Sequence, residues 1–349
     1  MRSSHRMLCL LLSVTALICL PSGCSKKSTR SCGERDLIAF LSDRSGDQYM
    51  LYTMQSDGTG QKMLEGAWLF LGPGRDPLVS PDGGKIVFAQ AHKSHGWAMI
   101  VNADGSDLDT LIKDTFLSFV HLGEWSPDGG KLVYRLDSYA DNSKSGVYVI
   151  NPDGSGKVRL DEGYDPRFCG NDKVVYSRSD GIYIIGTNGE EKMRLQEALL
   201  GTGLQKPVGS PDRKKVAFCR GLVVPPPNEK CWLEIINPDS SEQTQLAQID
   251  GLPWAAEIEF SPDSERILLL VSGEFFLQLY VVNIDGSDLR LLVEGATLGQ
   301  RARWSPDGSR IVFTSTKDGN PEIYTVNASG PPVIKRLTNN LADDCNPDW

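Results

Sequence analysis

Apolar positions in this chain fall in short β-rich runs set between turn residues. Lys85-Ile86-Val87-Phe88, Lys131-Leu132-Val133-Tyr134, Val216-Ala217-Phe218, Ile267-Leu268-Leu269 and Arg310-Ile311-Val312-Phe313 are the clearest. Runs of this composition between turn signals predict strands. Each follows a tetrapeptide suited to a turn: Ser80-Pro81-Asp82-Gly83, Ser126-Pro127-Asp128-Gly129 and Ser305-Pro306-Asp307-Gly308, with weaker copies at Ser210-Pro211-Asp212-Arg213 and Ser261-Pro262-Asp263-Ser264. Proline presets φ for the second turn position, Asp suits the third and Gly the fourth, and the Ser hydroxyl bonds back onto the turn. A second strand comes next, as in Val147-Tyr148-Val149-Ile150 or Glu322-Ile323-Tyr324-Thr325-Val326. It ends in another turn, such as Asn102-Ala103-Asp104-Gly105-Ser106 or Asn283-Ile284-Asp285-Gly286-Ser287. A short last strand, as in Leu289-Arg290-Leu291-Leu292, closes the unit.

The unit is strand, turn, strand, loop, strand, turn, strand. Four antiparallel strands make a propeller blade. The residue before the Ser of each turn is Val79, Trp125, Gly209, Phe260 or Trp304, and Phe168 holds that place in a degenerate copy before Lys173-Val174-Val175-Tyr176. Successive gaps are 46, 43, 41, 51 and 44 residues, the period of about 40–50 that four-stranded blades require. Leu37-Ile38-Ala39-Phe40 and Met50-Leu51-Tyr52-Thr53 read as the second and third strands of a blade lacking its first. Cys345-Asn346-Pro347-Asp348-Trp349 supplies that strand, in phase, with Trp349 lying 45 residues after Trp304. The expectation is an all-β, seven-bladed propeller over residues 37–349, closed by terminal strands sharing one blade, with six blades the alternative count. Closure leaves no long sheet edge open to aggregation.

Charge narrows the function. The formal net charge of the 349-residue chain is −9. Residues 24–349 carry 34 basic and 45 acidic side chains, a net of −11. A nucleic-acid binder would show a basic footprint instead, and anionic lipid would repel such a surface. The N-terminus has its own pattern. Arg2, His5 and Arg6 precede the mostly apolar Leu8–Leu20, a stretch of 13 residues that is too short for a spanning helix. Pro21-Ser22-Gly23-Cys24 follows, so residues 1–23 read as a secretory signal. The Gly23-Cys24 end resembles a bacterial lipobox, which implies lipidation of Cys24. The polar segment 24–36 reads as a tether. Under the sorting habit of enterobacterial lipoproteins, Ser25 points to the outer membrane, so the expected location is the periplasm or the outer membrane.

The repeats resemble the TolB-type propeller repeat, which also occurs in propeller domains of prolyl oligopeptidases and in oligogalacturonate lyases. The resemblance covers roughly Leu37–Trp349. It implies the fold strongly and the function weakly, since one propeller supports many activities. TolB itself places an α/β domain before a six-bladed propeller, so the seven-blade count and the short segment ahead of Leu37 depart from it.

No Gly-x-Ser-x-Gly nucleophile elbow occurs. Most Asp residues sit in the repeated turns, where backbone capping accounts for them. His92 and His95 are expected in the loop between the second and third strands of the second blade, and His121 in the next link. The three would open on one face. The resembled lyases hold a metal with His and Gln, which makes these three candidate metal ligands; solvated loop histidines are the plain alternative. Cys219 and Cys231 flank a loop between successive strands and are candidate disulfide partners. Cys32 and Cys345 flank the shared blade and form a second candidate pair, and Cys169 is left over. The regular turns make one face of the ring uniform. The other carries variable loops, with Trp68, Phe70, Phe116, Phe119 and Trp254 near the blade links as a candidate partner surface. The expected function is an exported, lipid-anchored, monomeric module that binds an envelope protein or peptide, without a cofactor. A metal-assisted oligogalacturonate-type lyase, or a glycan-binding propeller, is the alternative.

Overall fold

The computed structural model describes residues 36–46, 48–69, 76–92, 95–113, 117–199, 202–222, 230–250, 254–272, 277–295 and 301–349. Their strands form seven four-stranded antiparallel sheets. Six blades run consecutively along the chain. Their innermost strands are Leu78–Val79, Ser118–Trp125, Tyr164–Cys169, Thr202–Gly209, Trp254–Phe260 and Ala302–Trp304. The seventh sheet, here blade one, orders Asp344–Asp348, Leu37–Ser42, Tyr49–Gln55 and Lys62–Leu69. The C-terminal strand therefore takes the inner place beside the first strand of the chain, with Ala39 opposite Asp348 and Ser42 opposite Asp344. The alternative count of six blades is set aside.

The turns form as their residues dictate. The Gly83 N–H donates to Ser80 O at 2.7 Å, and the Lys85 N–H donates to the Ser80 hydroxyl at 2.9 Å. The same pattern closes on Ser126, Ser210, Ser261 and Ser305. The fourth residue adopts positive φ: 75° at Gly83, 71° at Gly129 and 67° at Gly308. Arg213 (67°) and Ser264 (64°) hold the same conformation without glycine, a strain that the surrounding sheet overrides.

Packing is between blades. Among the described residues the core divides into seven apolar clusters, each spanning one seam between adjacent blades. One of them joins Ile38 and Phe40 to Val312 and Ile323, so the last seam is packed like the others. Two of the aromatic residues before the turns reach back to the preceding blade: Trp125 Nε1–H donates to Leu78 O at 3.1 Å and Trp304 Nε1–H to Glu259 O at 3.3 Å. Blade five has Gly209 there because a Cβ would lie 2.4 Å from Cys169 Cα.

Three expectations need correction. His121 lies within the inner strand Ser118–Trp125, opposite Arg135, and not in a link. His92 ends one strand and His95 begins the next, directly opposite each other. Cys219 faces Leu233 while Cys231 faces Gly221, which makes the two cysteines diagonal neighbours. Both are free buried thiols joined by a hydrogen bond, with burial pushing the Cys219 thiol well up. Cys345 has no disulfide partner among the described residues. Its expected partner Cys32, together with Cys24 and the whole of segment 1–35, lies outside the described residues.

Candidate functional site

An inner strand is the edge of its blade, so some of its N–H groups have no partner within the sheet. The chain supplies one from the neighbouring blade. Glu124 accepts a hydrogen bond from the Phe168 N–H. Glu259 accepts from the Trp304 N–H at 3.2 Å, and Asp348 from the Val79 N–H at 2.7 Å. Each acid stands one residue before its blade's turn aromatic and caps the equivalent position of the next blade. Arg167 and Arg303 occupy the same register in blades four and seven, giving five charged residues among the seven such positions.

These side chains converge on the centre of the ring. Arg167 lies 2.9 Å and Arg303 3.1 Å from Glu257 Oε1. Arg303 also lies 3.1 Å from Asp348, while Arg301 approaches Asp76 at 3.5 Å. Burial works against the Glu257 carboxylate, but Arg303 and Arg167 outweigh it and hold it down at about 2. Burial pushes Glu124 up to about 6, with Arg167 opposing. Burial pushes Glu259 up to about 8; Arg303 opposes this, and Glu257 adds to it. Glu259 keeps 28% of its side chain exposed to the cavity, so water there moderates the shift.

Above this network opens a funnel of about 410 Å³. Trp125, Phe260, Trp304 and Trp349 contribute to its wall, and Pro81, Pro127, Pro211, Pro262 and Pro306, one from each Ser-Pro-Asp turn, form its rim. The funnel thus opens on the face of regular turns. An apolar rim around paired charges can receive a side chain or chain segment with a polar tip.

The profile of the TolB beta propeller domain matches residues 186–349. A Tol-Pal system protein TolB from Syntrophus aciditrophicus is 42% identical over 52 residues. The chain is a β-propeller whose residues 186–349 are TolB-like. That aligned stretch is 15% of this chain and 12% of the relative. Among solved structures, TolB from Acinetobacter baumannii overlays with a TM-score of 0.53 at 13% identity, covering 90% of this chain and 82% of that one. An oligogalacturonate lyase in complex with manganese overlays with a TM-score of 0.64 at 15% identity, covering 84% and 86%. At these identities the overlays establish a shared fold.

The TolB-like propeller distributes the residues expected from its sequence unevenly. His95 stacks on Trp97 with ring centroids 5.8 Å apart. His121 Nε2 is 3.1 Å from Asp137. Burial lowers its pKa, which Asp137 opposes and Arg135 reinforces. The His92 side chain lies outside the described residues. Among those described, no group of three His, Cys, Asp or Glu is arranged to hold a metal. Phe119 is half-buried against Tyr139. Phe70 and Phe116 are outside the described residues, as are the side chains of Trp68 and Trp254. The funnel residues Glu124, Arg167, Glu257, Glu259, Arg303 and Asp348 were not anticipated. For all of them but Glu257 the signal was a charge one step before the turn aromatic.

A pH prediction follows from Glu259. In the unfolded chain its carboxyl ionises near pH 4.5, and in the fold near pH 8. Between these values the native state binds more protons, so this group lowers stability as pH rises through the window. Glu259→Gln keeps the acceptor for Trp304 and removes the titration. At pH 9 the variant should be more stable than wild type by about 1–3 kcal/mol, and at pH 4 or below the two should match. Urea unfolding across pH 4–9 checks this; parallel curves would refute it.

Proposed function

We propose that this TolB-like propeller is an exported protein of the bacterial cell envelope, anchored by a lipid on Cys24, that captures a protein or peptide at the mouth of its central funnel. The observation carrying this is the funnel itself, a cavity with a rim of turn prolines, aromatic walls and a base of paired charges. Such a pocket suits an anchoring side chain whose polar tip reaches the charges. The matched relative is named for the Tol-Pal system, which favours a protein partner. The basic start, short apolar run and Gly23-Cys24 favour export and lipidation. The variable-loop aromatics Trp68, Phe70, Phe116, Phe119 and Trp254 form the competing surface. The lyase reading draws on the overlay with the manganese-bound enzyme.

One set of variants tests the proposal. Expressed in a diderm bacterium, the protein should fractionate with membranes and label with palmitate, and Cys24→Ala should release it. Cross-linked capture from envelopes should be lost in Pro262→Glu/Pro306→Glu with little change in melting, because both prolines are exposed. Phe119→Ala should retain capture. The opposite pattern would move the surface to the variable face. Metal-dependent cleavage of oligogalacturonate by the purified protein would favour the lyase.

A further inference from the structure

On the face opposite the funnel a second cavity, of about 500 Å³, opens between blades three and four. Arg135 and Asp137 come from the second strand of blade three, and Tyr139 from the loop after it. Glu162 and Tyr164 come from the entry to blade four, and Arg178 from the end of its second strand. The volume lies within the roughly 300–1,000 Å³ of small-molecule sites. Such sites are usually apolar, whereas this lining is mostly polar.

Two aromatic rings stand at this cavity in water. Tyr139 is 73% exposed and Tyr164 50%. Both are supported: Phe119 meets Tyr139 edge-on with centroids 6.0 Å apart, and the Arg135 guanidinium lies 4.0 Å from the Tyr164 ring centre. Tyr139 is also tied by its backbone N–H, which donates to Leu117 O at 2.8 Å. Rings held in this way present contact area at small entropic cost. Gly163 forms part of the lining, and a Cβ there would lie 2.5 Å from the Tyr176 ring. The link must therefore pass over Tyr176 as bare backbone.

The charges define the ligand. Arg135 pairs with Asp137 at 2.6 Å, and Arg178 lies 3.1 Å from Asp161. Asp137 also faces His121 at 3.1 Å. Both guanidiniums are already matched by carboxylates, and Arg135, Arg178, Asp137 and Glu162 sum to zero charge. A phosphate or uronate would have to compete with Asp137 and Asp161. A cation would meet the two arginines. A guanidinium has five N–H donors and a carboxylate about four acceptor sites, so paired groups retain capacity for neutral hydroxyls. An exposed aromatic face, with its negative π-cloud, suits the weakly positive C–H face of a sugar ring.

We propose that this groove binds a neutral oligosaccharide, with Tyr139 and Tyr164 as stacking platforms and the Arg135–Asp137 pair and Arg178 bonding its hydroxyls. The site shares no residue with the funnel, so neither reading depends on the other. Calorimetric titration of the purified protein with maltohexaose, cellohexaose and chitohexaose tests it, with hexagalacturonate as the charged comparator. At least one neutral sugar should bind, and hexagalacturonate at least about tenfold more weakly. Tyr139→Ala and Tyr164→Ala should each weaken binding about tenfold or more without changing the melting curve, and Tyr139→Phe should retain it. Absence of binding by all three neutral sugars, equal or tighter binding of the uronate, or binding untouched by both alanine variants would each overturn the proposal. So would protection of the two tyrosines by a peptide and by none of the sugars.

Discussion

Removing Asp344–Trp349 is expected to convert a protein with one cooperative melting transition into an aggregating product. The strand lost is the inner strand of blade one. Its absence would leave Leu37–Ser42 as an open edge whose residues Ile38, Ala39, Phe40 and Leu41 are all buried in the intact ring. Exposed apolar edges template intermolecular pairing. The loss also removes the acceptor for the Val79 N–H, the Asp348 partner of Arg303, and the Asp344 partner of Arg44. The control is a permutant with the strand moved to the other end of the sequence. Trp349 would be joined through Ser-Pro-Asp-Gly to Asp36, recreating the connection that leads from Trp304 into Arg310–Ser315. This permutant should be monomeric and melt cooperatively, as size-exclusion chromatography and calorimetry would show. A truncated chain that remained monomeric with an unchanged melt would contradict the closure.

Arg303→Ala should carry the largest cost of any single substitution in the funnel. Arg303 bridges Glu257 and Asp348 at 3.1 Å each, and its side chain is only 10% exposed. Burial disfavours its charge, but Glu257 and Glu259 outweigh that and raise its pKa. Removing one member of a buried charge network leaves the others uncompensated, at a cost of about 3–5 kcal/mol. Arg303→Met with Glu257→Gln and Asp348→Asn removes charge from both sides and should cost less than Arg303→Ala alone. The urea midpoint reports this, with the slope unchanged. A loss under about 1 kcal/mol would mean that water in the funnel screens these charges as it screens surface pairs.

Turn chemistry made the fold legible. Proline, Asp and Gly act through local backbone preferences, so their repeats mark blade boundaries without knowledge of packing. The phase of Trp349 against Trp304 revealed the shared blade for the same reason. Arg213 and Ser264 show the limit of that signal: they hold a glycine conformation because the sheet imposes it. Side-chain partnerships were less legible. Cys219 and Cys231 flank the same loop, but a two-residue offset in register separates them, and register depends on packing across the sheet. His121 looked like a link residue because an inner strand with polar positions breaks the apolar pattern. The funnel acids were hidden by the same bias toward apolar runs. Their role exists only where blades adjoin, as when Glu124 caps the N–H of Phe168. Tyr139 and Tyr164 likewise become neighbours of one cavity only once blades three and four stand side by side.

The most direct test of the functional account is a photo-cross-linking residue placed at Pro306 on the funnel rim, and separately at Asn142 on the opposite face, in cells expressing the full chain. A discrete cross-linked envelope protein is expected from position 306, lost when Pro262→Glu is added, and none from position 142. A discrete protein adduct at 142 with nothing at 306 would contradict it.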